Sequence, residues 1–163
     1  MAVVFVAAFA ASASADSFLK LSLFDQVAWP KTDKANLGLG LLYSNTPEVS
    51  GLDFNFFVSK VDNLTGVQFS MVNINDNATG LNWGFVNYTK GDMTGASLGA
   101  VNYANSYFGF QWGWVNYAGN FKGFQLGLVN YVETIDKGLQ IGFVNIIRNN
   151  GWLPVMVIAN GRF

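Results

Sequence analysis

The sequence predicts an all-β fold, a closed antiparallel up-and-down β-barrel of about ten short repeated strands, on three observations. A nine-residue phrase, best preserved as GFQLGLVNY at Gly123–Tyr131, recurs every fourteen or fifteen residues from Asn36 onward. Bulky apolar residues alternate with small or polar ones inside each copy, which is the period of a strand with two unlike faces. Charge is almost confined to the short segments between copies. A unit this short cannot bury its apolar face alone, so copies must stack or pair with one another.

The elements follow in chain order. Residues 1–15 read as a signal peptide: Ala2–Ala10 is an apolar run, and Ala13-Ser14-Ala15 is a small-residue cleavage pattern. No Lys or Arg precedes that run. Residues 16–163 then form a single repeat-built β domain, the size of one ordinary domain. Its first strand, 18–24, alternates Leu19, Leu21 and Leu23 with Lys20 and Ser22. Strands at 36–44, 51–59, 66–74, 80–88, 95–103, 109–117, 123–131 and 138–146 are the copies of the phrase, and 153–163 closes the chain. The intervening segments NDNAT (75–79), TKGDMT (89–94), VETID (132–136) and IRNN (147–150) read as polar turns.

Numbering the phrase from one to nine, places two, four and six hold Phe124, Leu126 and Leu128 in one copy and Phe110, Trp112 and Trp114 in another. This face carries no charge in any copy, and Trp83, Trp112, Trp114 and Phe143 are assigned to lipid. The opposite face holds Gly, Gln, Asn or Ser, with Lys20, Asp53, Gln68, Asn82, Gln111, Gln125 and Gln140 as candidate lumen-lining residues. Eight-stranded barrels are just wide enough for side chains to fill, so the Gln row reads as a hydrogen-bonded plug. Simple alternation also turns Tyr88, Tyr103, Tyr117 and Tyr131 inward, although their place at strand ends suits an interfacial girdle.

A parallel β-solenoid is the alternative arrangement, with Asn116, Asn130 and Asn145 stacked as a ladder. Nine extended residues run about 30 Å, whereas the five or six left per repeat return at most roughly 20 Å. That coil closes only if the second Gly of the phrase, such as Gly113, turns a corner. A coil holding Phe110, Trp112 and Trp114 inside would be overfilled. Antiparallel pairing needs no return path, and nine-residue tilted strands suit an outer membrane.

Composition supports an envelope setting and removes much chemistry. Of 163 residues 51% are apolar, 16% aromatic and 12% charged, against about 25% charged in an ordinary soluble domain. A net charge of −1 leaves no basic footprint for nucleic acid. Cysteine and histidine are both absent, so thiolate chemistry, the commonest general base and the commonest metal ligand are missing. No nucleophile–base arrangement, metal spacing or phosphate loop is visible, and neither catalysis, a cofactor nor a metal is expected.

The run of G-x-Q-x-G-x-V-N units over about residues 36–163, with GWLP near the end, resembles uncharacterised bacterial surface-repeat proteins of Gram-negative organisms. That resemblance implies a surface or envelope location and brings no activity. The final Phe163 resembles the C-terminal phenylalanine of outer-membrane barrels, which implies recognition by the barrel-assembly machinery as an assembly signal. The expectation is therefore an outer-membrane barrel, with lipid and the assembly machinery as partners, a structural or surface-interaction role, and an unknown surface ligand. A narrow passive pore and a secreted β-solenoid serving as an adhesive or filament-forming repeat protein are the alternatives.

Overall fold

Copies of the phrase contain a corner, and the corner decides the architecture. The computed structural model describes residues 16–24 and 27–163; the expected signal peptide lies outside them. The strands are β1 Ser17–Phe24, β2 Val27–Trp29, β3 Lys34–Gly40, β4 Tyr43–Asn55, β5 Val58–Phe69, β6 Val72–Trp83, β7 Val86–Leu98, β8 Val101–Asn149 and β9 Val155–Arg162. From β3 to β8 each strand pairs with the next in parallel. The sheet order β2-β1-β3-β4-β5-β6-β7-β8-β9 does not bring its two ends together. The chain is a parallel β-solenoid, and the expected closed antiparallel barrel is not formed.

Two features of the chain overturn the barrel. The first is the location of the breaks. Between successive strands the backbone bends at 70–71, 84–85 and 99–100, places five and six of the phrase. The segments read as polar turns are strand instead: 75–79 lie in β6, 89–94 in β7, 132–136 and 147–149 in β8. The return path therefore begins halfway through the phrase, and the length argument against a solenoid fails.

The second is the direction of the bulky side chains. Trp112 and Trp114 are 55% and 62% exposed, so they do not overfill the coil. Four other rows fill it. In the coil from Gly123 to Lys137 the buried side chains are Gln125, Asn130, Val132 and Ile135. The row matching Ile135 is Leu64, Ala78, Met93, Tyr107 and Phe121, all buried. Sizes compensate between rows, as dense packing requires: where Ser97 replaces Gln, the large Tyr107 fills the space and its hydroxyl donates to Phe110 O at 2.8 Å. Burial pushes the Tyr107 phenol well above its ordinary range.

Glycine opens each coil for a steric reason. Gly109 has φ 140°, and a Cβ there would lie 1.9 Å from the carbonyl oxygen of Gly95 in the coil before it. Only glycine permits both the dihedral and the approach. The two ends of the stack are closed differently from its middle. At one end β2 runs antiparallel to β1. At the other β9 runs antiparallel to the last stretch of β8, with a register shift between Gly142 and Asn145 and a positive φ at Ile158.

Gly109→Ala is expected to destabilise the fold by more than about 2 kcal/mol in urea unfolding, from dihedral strain and the carbonyl clash together. Ser106→Ala, three residues earlier and partly exposed, should stay within about 0.5 kcal/mol of the parent protein.

Candidate functional site: an aromatic face on a polar-filled coil

The interior explains how the outside can be apolar. Asn73, Asn87, Asn102, Asn116, Asn130 and Asn145 stack in register, each Nδ2 donating to the next Oδ1 at 2.7–2.9 Å. The same Nδ2 atoms of Asn87, Asn102, Asn116 and Asn130 also donate to the carbonyls of Leu98, Trp112, Leu126 and Ile141 at 2.9–3.0 Å. Those carbonyls sit at place four, where the chain enters the bend. The Asn row thus locks each corner to the next coil.

A second ladder lies beside the first. Gln140 donates to Gln125 at 2.7 Å and Gln125 to Gln111 at 2.5 Å. Gln68 belongs to the same row, donating to Ser59 Oγ at 2.9 Å and accepting from Asn75 at 3.0 Å. Asn82 donates to Asn75 Oδ1 at 2.8 Å. All seven residues assigned from sequence to a lumen point into the coil: Lys20 is 5% exposed, and Asp53, Gln68, Asn82, Gln111, Gln125 and Gln140 are 0%. A solenoid has no lumen, and these side chains are its packed core; the structure gives no pore.

The charged members of that set sit near the first coils. Lys20 Nζ donates to Asn45 O and, at 3.0 Å, to Thr46 Oγ1. Asp53 Oδ2 accepts from Asn55 Nδ2 at 2.8 Å and from Ser59 Oγ, while Oδ1 has no protein donor. Burial drives the Asp53 pKa upward, against smaller opposing effects from its hydrogen bonds and from Lys20.

Outside, the bend reverses the parity of the strand. Places two and four point outward before the bend, places six, seven and nine point outward after it, and place eight points in. Trp83, Trp112, Trp114 and Phe143, assigned to lipid from sequence, are 53–76% exposed. Place four forms one ridge, in register from Leu21 and Leu39 through Phe54, Phe69 and Trp83 to Leu98 and Trp112. Place six forms a second ridge with Phe56, Phe85 and Trp114. Between them runs a groove of about 910 Å³ floored by Gly84, Gly99, Gly113 and Gly127. Phe69 and Trp83 rings lie 5.1 Å apart along one ridge, and Phe85 meets Trp114 edge-on at 6.1 Å.

The tyrosines of place nine stand outside too, correcting their inward assignment. Tyr88, Tyr103, Tyr117 and Tyr131 stack with centroids 4.6–5.3 Å apart. Tyr117 donates to Glu133 at 3.0 Å, and its pKa is raised to about 12, first by desolvation and then by that carboxylate. Between Phe54 and Asn150 the charged residues are Lys60, Asp62, Asp76, Lys90, Asp92, Lys122, Glu133, Asp136, Lys137 and Arg148, all outside the phrase. The coil is amphipathic around its circumference. Phe163, read as an assembly signal, is 79% exposed and packs on Trp152 at 5.2 Å, and the barrel it would serve is not the fold.

Sequence reasoning missed the inner row from Leu64 to Ile135 because it lies in segments taken as turns. Its signal was present: an apolar residue at the same offset in successive repeats. No protein-family model, curated protein or solved structure matches the chain.

Replacing Asn116 by Leu strips partners from Asn102 Nδ2, Asn130 Oδ1 and Leu126 O in one step. Unfolding free energy should fall by about 3–6 kcal/mol, measured by urea titration. For Asp53 the sign runs the other way. A carboxyl whose folded pKa exceeds its unfolded one binds protons in the native state, so stability declines as pH rises from about 4 through the raised value. Asp53→Asn should flatten that slope and raise the melting temperature at pH 7; an unchanged pH profile would contradict the assignment.

Proposed function

We propose that the protein is an exported, non-catalytic β-solenoid that works as a surface-interaction module of the cell envelope, with the aromatic face as its working surface. One observation carries this reading. The two ridges expose large apolar side chains along the stack, and the charges of the repeats lie on the opposite arc of each coil. Contiguous apolar surface beyond a few hundred Å² marks an interaction site. An adhesive role is favoured over a filament-forming one by the ends of the stack. β2 has only 3 residues and is followed by Pro30, and β9 carries the shifted register and the positive φ. Short, Pro-flanked or bulged edge strands resist end-to-end pairing, so contacts are made sideways. Asp53 and Tyr107 are buried and hydrogen-bonded inside the coil.

Expressed with its own N-terminus in a Gram-negative host, the protein should sediment with the envelope. A variant with Trp83, Trp112 and Trp114 all replaced by Gln should keep its β-type circular dichroism and move to the soluble fraction. Sedimentation unaltered by those three changes would sink the reading.

A further inference from the structure

We propose that this face, taken as the working surface argued above, inserts edge-on into the acyl region of a lipid bilayer surface without spanning it. Four features of the structure favour lipid over a protein partner. First, the apolar surface wraps a corner. The place-four ridge lies on one side of the bend and the place-six ridge on the other, followed by Val101 and Val115 at 38% and 41% exposure. A twofold contact with a second copy would bury one side and leave the other wet, whereas fluid acyl chains conform to both.

Second, most amides at the corner are paired within the protein. The bend amides of Gly84, Gly99, Ala100 and Trp114 donate to Leu98, Trp112, Phe85 and Ala100 carbonyls at 2.9–3.0 Å. The Asn ladder donates to the place-four carbonyls from inside. A surface can sit in hydrocarbon only when its peptide groups are satisfied within the protein. Third, the groove between the ridges is lined by glycines and apolar side chains, with Asn55 and Ser70 toward its first coils, which suits unbranched alkyl chains.

Fourth, a depth marker is built in. The tyrosine row lies three residues beyond place six, about 10 Å along an extended strand. Its rings are apolar and its hydroxyls polar, with Tyr117 tied to Glu133, a side-chain type that settles at membrane–water interfaces. Interfacial elements bury about 5–10 Å, so the corner would enter as far as these hydroxyls. The charges nearest the tyrosine row are of both signs, with Lys60 in its register, Arg148 against Tyr131 and Glu133 against Tyr117, and the chain's net charge is −1. Insertion is therefore driven by acyl contact and is indifferent to headgroup charge.

The test uses the full chain purified from its host, with vesicles of pure phosphatidylcholine. Flotation should be similar at about 0.05 M and about 1 M NaCl, since screening acts on charge and not on apolar burial. Phosphatidylcholine brominated on its acyl chains should quench tryptophan emission. Trp112→Glu combined with Trp114→Glu, both at exposed positions, should lower partitioning roughly a hundredfold or more while preserving the circular dichroism. Binding confined to anionic vesicles and lost at high salt would overturn the proposal. Absence of flotation together with a concentration-dependent dimer, abolished by the double variant, would replace lipid by a second copy and leave the interaction face intact. Neither flotation nor self-association would remove both the lipid and the interaction reading.

Discussion

The side-chain amide of the phrase's asparagine is the interaction on which the rest depends. A parallel coil must bend, and each bend takes a backbone carbonyl out of ordinary strand pairing. Asn102, for example, offers one hydrogen bond along the stack to Asn116 and a second to the Trp112 carbonyl at the next corner. One side chain therefore sets the register of two coils and satisfies the bend between them. The second donation also settles the orientation of the amide, because a carbonyl can only accept. Buried amides so fully partnered carry little desolvation penalty, whereas the same groups unpaired would be costly.

That arrangement inverts the usual division between inside and outside. The coil is narrow, and its interior is filled by short amides with one small and one larger apolar row. Such a core has no room for an indole or a phenyl ring at places two, four or six. Those rings are displaced outward, and the ones at places four and six line the groove along the bends. The amide core and the aromatic face are two results of the same narrow cross-section.

Much of this was legible in the repeat, and the errors have a common cause. All-β character, the charge-free face and the inward Gln row follow from alternation and composition. Alternation was carried unbroken across nine residues, which amounts to assuming a straight strand. Gly113 and Trp114 then belong to one run, although the backbone of the matching Gly99 and Ala100 bends. The tyrosines held the warning: their inward assignment disagreed with their chemistry, and the disagreement measures the reversal of parity at the corner. The strongest sign of a parallel stack was the near identity of the phrases themselves. Identical residues can ladder only when strands run the same way, and Asn-to-Asn bonding exploits that symmetry.

The antiparallel strands at both ends have a separate consequence for the history of such a chain. They close the stack, while the coils between them share one cross-section and one pattern of contacts. Duplication or loss of a single unit by slippage of the coding sequence would change the length in steps of about 4.8 Å, the spacing of neighbouring strands. The two terminal strands would meet the same kind of coil as before. The protein is in this sense a ruler, able to be lengthened or shortened without redesign of its section.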